Sequence, residues 1–166
     1  MNWFEIFRYE DGKLFWKVSL NSRIRIGDEA GTSDNKGHLV VGYKRKMYKV
    51  HRVIYEIFHG PIPKGMAIDH INGIKYDNRV DNLRLVTRSQ NMWNSCKPKT
   101  NTSGFKGVSW DKRNKQWLAY IAVFGKEKNL GRFSTKEEAY SARLDAEKFY
   151  HGEFAASEER KEVEVK

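Results

Sequence analysis

The chain has 166 residues, with 31 Lys and Arg against 21 Asp and Glu, a formal net charge of +10 and a pI near 9.6. That length holds one large domain or two small ones. The charge points to a polyanionic partner, nucleic acid ahead of a membrane, since no amphipathic basic helix is evident. No apolar run approaches the ~18 residues of a membrane span. Met1-Asn2-Trp3-Phe4-Glu5 lacks the basic and apolar regions of a signal peptide. Cys96 is the sole cysteine, which excludes an internal disulfide and a Cys-based zinc knuckle. A reducing cytoplasm is expected, with Cys96 as an idle thiol.

Residues 3–50 read as β-rich. Asp11-Gly12 is a strong hairpin signal between the apolar runs Trp3-Phe4, Ile6-Phe7 and Leu14-Phe15-Trp16. Ser33-Asp34-Asn35-Lys36-Gly37 is a second turn cluster. A hairpin is expected over 38–43 and 47–50, with Lys44-Arg45-Lys46 at its tip. The bland reading of that tip is a solvated turn; phosphate contact is favoured because the region is basic. Residues 51–58 read as a helix with Val53, Ile54, Ile57 and Phe58 on one face, stopped by Gly60-Pro61. His38 and His59 take a packing role.

Within residues 64–95, Ile68-Asp69-His70 ends one strand and Leu83-Arg84-Leu85-Val86 forms another. Thr87-Arg88-Ser89-Gln90 has the form of a capping box, which starts a helix carrying Asn91. Residues 97–104 are polar and aperiodic and read as a linker. Beyond it, strands are expected at 105–110, 117–124 and 128–133, with a turn at Gly125-Lys126. Trp117, Ala119, Ile121 and Val123 fall on one sheet face, Leu118, Tyr120, Ala122 and Phe124 on the other. Ser134-Thr135-Lys136-Glu137 is a second capping box. Ala139, Ala142, Ala146 and Phe149 line one face of the helix after it, and Gly152 ends it. The tail 157–166 is charged and expected to be disordered. The fold class is α+β. It comprises a β-rich domain at 1–96, the linker, a three-stranded antiparallel sheet plus one helix at 105–156, and the tail.

Asp69-His70-Ile71-Asn72-Gly73, then Asp77-Asn78-Arg79-Val80-Asp81-Asn82-Leu83, then Asn91 resemble the motif of the HNH nucleases. This is the His-Me finger or ββα-metal family, in the branch typical of phage and intron homing endonucleases. Val50-His51-Arg52 before an apolar helix also looks like that branch. The last letter of HNH is Asn here. The likeness covers residues 38–95 or so. It implies a ββα-metal fold and a site-directed DNA endonuclease that leaves 5′-phosphate and 3′-hydroxyl ends. His70 would be the general base, its ordinary pKa of ~6.5 suited to taking a proton from water near neutral pH. Asp69 and Asn91 would hold Mg²⁺ or Mn²⁺, hard cations content with few protein ligands; zinc is not expected. Asn82 would brace the loop of the catalytic set, and His51 would lie at the site's edge. An Asp-His pair alone reads as a surface turn; the Asn82 and Asn91 spacings argue against that.

Lys106-Gly107-Val108, Trp117-Leu118-Ala119-Tyr120-Ile121, Leu130-Gly131-Arg132-Phe133, Glu138-Ala139 and His151-Gly152-Glu153-Phe154-Ala155 resemble the Apetala-type, or ethylene-response, DNA-binding domain. There the open sheet face enters the major groove. Several base-reading arginines of the plant members are replaced here by Ser109, Tyr120 and Ala122. The expected DNA contacts are Lys44, Arg45, Lys46, Arg52 and Arg84 in the first part. In the second they are Lys106, Ser109, Tyr120, Asn129 and Arg132. The expected partner is double-stranded DNA in the cytoplasm of a phage-infected bacterial cell. The chain is expected to act as a monomer, since no heptad segment is present. The competing reading is a DNA-binding regulator with an inactive nuclease unit. An RNA-binding role is weaker, because no RNP signature occurs.

Overall fold

The computed structural model describes residues 1–94 and 101–155. They form an α+β protein that divides into two compact units, Met1–Thr87 and Arg88–Lys166. The division falls ahead of the stretch read as a linker. Cys96, residues 97–100 and the tail lie outside the described residues. Residues 101–104 are no linker. Ser103 is buried and its hydroxyl reaches the Val108 carbonyl at 2.7 Å, while Asn101 caps Gly104 N at 2.8 Å.

In the first unit, β1 (Phe7–Glu10) and β2 (Lys13–Trp16) pair antiparallel around Asp11-Gly12, both at positive φ as a type I′ turn demands. The run before it is a turn of 3₁₀ helix, Trp3–Glu5, rather than strand. β3 (Glu29–Ala30) adds to β2, and β4 (Thr32–Ser33) leads into β5 (Leu39–Tyr43) and β6 (Lys46–Lys49). The expected hairpin is present. Its tip is the two-residue turn Lys44-Arg45 with φ of 47° and 62°. Asn-Gly is the favoured pair there, and a left-handed non-Gly residue costs about 1–2 kcal/mol.

Helix α1 (Val50–His59) ends at Gly60, φ 80°. Its buried face is Val50, His51, Val53 and Ile54, one turn earlier than periodicity suggested. Phe58 is half exposed, in edge contact with Tyr9. Trp3, Phe7, Leu14, Trp16, Val41 and Ile54 make the core beneath it. β7 (Ala67–His70) pairs antiparallel with β8 (Leu83–Val86), putting Asp69 opposite Arg84 and His70 opposite Leu83.

The second unit contains α2 (Arg88–Trp93), β9 (Val108–Asp111), β10 (Gln116–Val123), β11 (Lys126–Phe133) and α3 (Lys136–His151). The sheet order is β11-β10-β9, antiparallel throughout. The predicted parity holds, with Ala119 and Ile121 buried. The β10–β11 turn is Phe124-Gly125, one residue earlier than expected. The α3 capping box also differs by one: Thr135 and Glu138 make it, at 3.2 and 3.1 Å. Helical steps of 3.6 residues from Ala139 lead to Arg143, Ala146 and Tyr150. Phe149 therefore points away and is 80% exposed. The buried face carries Arg143, Glu147 and His151 instead. The Arg143–Glu147 ion pair, 3.2 Å, lets a charged pair replace the apolar residues that pattern reading requires. Gly107 is obligatory: φ is 73°, and a Cβ there would lie 2.5 Å from both Arg143 Nε and the Tyr120 carbonyl oxygen.

Candidate active site

Residues opposite one another on an antiparallel pair share a face. Asp69 thus meets Arg84, whose Nε and Nη2 donate to its Oδ2 at 3.1 and 3.0 Å. Arg84 was expected on DNA. The structure instead commits it to orienting Asp69, with its side chain 15% exposed.

One residue on, His70 is buried at the end of β7. Its Nε2 lies 3.0 Å from Asn78 Oδ1, and Asn78 Nδ2 donates to the Tyr76 carbonyl at 3.3 Å. An amide oxygen only accepts, so His70 Nε2 carries the hydrogen. Nδ1 is then the basic nitrogen of the neutral ring. Burial pushes the His70 pKa below its usual value, opposed by the Asn78 bond, so the ring is neutral at neutral pH.

The loop between β7 and β8 is held by Asn82. Its Oδ1 accepts from Asn72 N at 3.0 Å, and its Nδ2 donates to Asn72 Oδ1 at 3.0 Å and to the Asp77 carbonyl at 2.7 Å. Asn72 Nδ2 reaches Asp77 Oδ2 at 2.8 Å, and Arg79 grips the same carboxylate with two bonds. The Arg79 guanidinium, foremost, lowers the Asp77 pKa to about 2.

His38 and His51 crowd the same place. Ring centroids are 4.9 Å apart for His51 and His70, 5.5 Å for His38 and His51, and 6.3 Å for His38 and His70. His51 was expected at the edge of the site; His38 was read as packing and belongs to the cluster as well. Burial lowers the His51 pKa to about 3, and burial with the nearby Lys49 charge lowers that of His38. Among the described residues no three His, Cys, Asp or Glu side chains form a metal-holding group.

The cluster predicts acid lability. In the unfolded chain these imidazoles take a proton near pH 6.5. In the folded chain His51 does so only near 3. The unfolded state binds more protons between those values, so stability falls as pH drops through that window and is flat above it. At pH 4.5 His51 alone accounts for a loss on the order of 2 kcal/mol. Thermal melts at pH 7.5 and 4.5 check this; equal melting temperatures would contradict it.

Of the expected DNA contacts, Lys44, Arg45 and Lys46 are exposed and Arg52 is half-buried on α1. In the second unit Ser109 and Arg132 flank Leu118, and Asn129 lies beside Tyr120, all on the sheet face away from α3. Arg132 Nε also reaches Asp111 at 3.2 Å. Lys106 departs from expectation, since its ammonium donates to the Trp93 carbonyl at 2.6 Å. Asn91 is exposed, the fourth residue of α2, in the second unit. Sequence reasoning missed Asn78 and His38. The available signal for Asn78 was its place in the Asp77-Asn78-Arg79-Val80-Asp81-Asn82-Leu83 motif, where it follows Asp77.

The family model described as HNH endonuclease matches residues 48–93. Protein 3.8 of Escherichia phage T7 is 40% identical over 115 residues, covering 67% of this chain and 93% of that protein. The SPbeta prophage-derived YosQ of Bacillus subtilis (strain 168), which bears the name of an HNH homing endonuclease, is 38% identical over 66 residues, 37% of this chain and 38% of YosQ. Among solved structures, that of the HNH homing endonuclease I-HmuI is similar with a TM-score of 0.44 and 19% identity over 80% of this chain and 74% of that one. Thus the match over 48–93 takes in β7, the braced loop, β8 and α2, and this part of the chain is an HNH endonuclease domain.

Proposed function

We propose that the chain is a DNA endonuclease of the homing type that hydrolyses phosphodiester bonds with the help of a divalent metal. The observation that carries this is the buried neutral His70, its Nε2–H fixed on Asn78 so that Nδ1 is the proton-accepting atom. A water placed at Nδ1 loses its proton to the ring as it attacks phosphorus, the role of a positioned general base. Asn82 holds the loop that carries Asn78, and Asp77 locks that loop from the other end. Exposed Lys44, Arg45 and Lys46 take up backbone phosphates, which fix register without reading bases.

The donors carried over from the family pattern, the Asp69 carboxylate and the Asn91 amide oxygen, are hard oxygen ligands and suit Mg²⁺ or Mn²⁺. Arg84 would share the Asp69 carboxylate with the ion. When bound, such an ion supplies charge relief to the phosphate and the leaving 3′ oxygen, giving 5′-phosphate and 3′-hydroxyl ends. Asp69→Ala or Asn91→Ala is expected to raise the Mg²⁺ concentration needed for half-maximal cleavage or to abolish activity. An unchanged titration would remove that residue as a ligand.

The sheet and helix of the second unit are proposed to read DNA through Ser109, Tyr120, Asn129 and Arg132, in the manner of the Apetala-type domain. Relatives in a phage and a prophage support action in the cytoplasm of an infected cell. One catalytic motif per monomer should nick one strand at a time. Supercoiled plasmid incubated with the enzyme and Mg²⁺ is expected to give open circles before any linear form. Linear product without a nicked intermediate would argue for a dimer or a second site.

A further inference from the structure

The β10–β11 hairpin breaks two local rules at once. Its turn, Phe124-Gly125, has φ of 49° and 77°, the type I′ geometry that Asn-Gly or Asp-Gly satisfies without strain. Phe124 adopts the left-handed conformation at a cost and recovers nothing by burial, because it is 81% exposed. A folding requirement would select against phenylalanine at such a place. Strain held against local preference, with an aromatic ring presented to solvent, points to use by a partner.

The tip is rigidly mounted. β9 pairs β10 only as far as Val108 with Ala119, and the Gly107 carbonyl before it accepts from Tyr120 N at 2.9 Å, so residues 121–123 and 126–128 run on as a two-stranded ribbon. His151 Nε2 bonds the Ala122 carbonyl at 3.0 Å, two residues before the ring. Trp93 stacks on His151 at 4.4 Å and touches the Phe124 ring edge-on at 5.9 Å. The ring therefore projects from a braced stem rather than from a loose loop. Lys126 and Lys128 are exposed and pair with Val123 and Ile121 on the side that faces α3, where Lys128 also meets the ring and hydroxyl of Tyr150, while Glu127 pairs with Ala122 on the other side. Lys126, next to the turn and exposed, offers a cation to a polyanionic backbone at the tip. A two-stranded ribbon fits a DNA groove, and an apolar wedge at its end can part a base step.

We propose that Phe124 is a wedge that enters a base step of duplex DNA, unstacking it and anchoring the second unit on its target. This rests on the DNA endonuclease reading above. The test uses the full chain and three variants. Phe124→Asn restores the favoured turn residue, Phe124→Ala removes the ring, and Phe124→Trp keeps an aromatic. The probe is a short duplex centred on a nick mapped with the wild type, carrying 2-aminopurine at successive steps.

Wild type should raise 2-aminopurine fluorescence at one step, and Phe124→Trp should do the same. Phe124→Asn should melt at a higher temperature than wild type yet give no fluorescence rise and bind roughly 10-fold more weakly, as loss of a stacked aromatic predicts. Phe124→Ala should match it in binding. The raised melting temperature separates loss of the wedge from loss of the fold. Wild-type binding and nicking with unchanged affinity and unstacking in Phe124→Asn would overturn the wedge and leave the nuclease reading standing. So would loss of a self-associated form in Phe124→Asn with DNA affinity intact, which would make the tip a protein contact. Failure of the wild type to bind or nick any duplex would sink both readings.

Discussion

His70→Ala is expected to slow phosphodiester cleavage at least ~100-fold, the usual worth of a positioned general base. DNA affinity should hardly change, because the side chain is buried and the phosphate-facing cations lie elsewhere. The substitution also strands the Asn78 carbonyl oxygen, so some stability is lost with the activity. His70→Gln separates the two effects. Its amide can still donate to Asn78 but cannot accept a water proton at neutral pH. It should melt closer to wild type and cleave no better than His70→Ala. Single-turnover cleavage with saturating enzyme measures this. Near wild-type rates in either variant would remove His70 as the base.

Asn82→Ala should strongly destabilise the first unit. Asn82 is 8% exposed and makes three bonds that tie Asn72 and Asp77 across the loop. Deleting the amide takes away the partner of the Asn72 N–H and of the Asp77 carbonyl, while Asn72 Oδ1 keeps its bond from Ile74 N at 2.9 Å. A loss of about 3 kcal/mol follows, since each stranded buried group costs about 1–3 kcal/mol and some relaxation is allowed. For a unit of this size the melting temperature should fall on the order of 10 °C. Activity should fall as well, because Asn78 loses its mounting and the His70 tautomer is no longer fixed. A melting temperature within a degree or two of wild type would show that the loop is held by something else.

The spacing of Asp69, His70 and Asn82 was readable because turn chemistry and β-pairing are local. Strand, loop and strand fall where the residues put them, and Asp-Gly marks its own hairpin. What escaped was decided by long-range packing. His38 comes to His70 from a loop more than thirty residues away, and no local pattern marks it. Arg84 reads as a free cation in sequence, yet strand register alone sets it against Asp69. Asn78 looks like one more turn residue until the fold buries it under the imidazole. On α3 the expectation failed for a different reason. Apolar periodicity chose Phe149, whereas the buried face is completed by the mutually neutralising Arg143 and Glu147. At Lys44-Arg45 and at Phe124 the backbone conformation is one the residue types disfavour, so sequence preference could suggest a turn but not its cost.

The central claim is that this chain cuts DNA by a metal-assisted, His70-dependent hydrolysis. Its most direct test is incubation of supercoiled plasmid with purified wild-type protein and Mg²⁺, with and without chelator, beside His70→Gln. Open circles should accumulate with wild type and Mg²⁺, and should be absent with chelator or with His70→Gln. Intact plasmid under all conditions, or equal nicking by His70→Gln, would contradict the account.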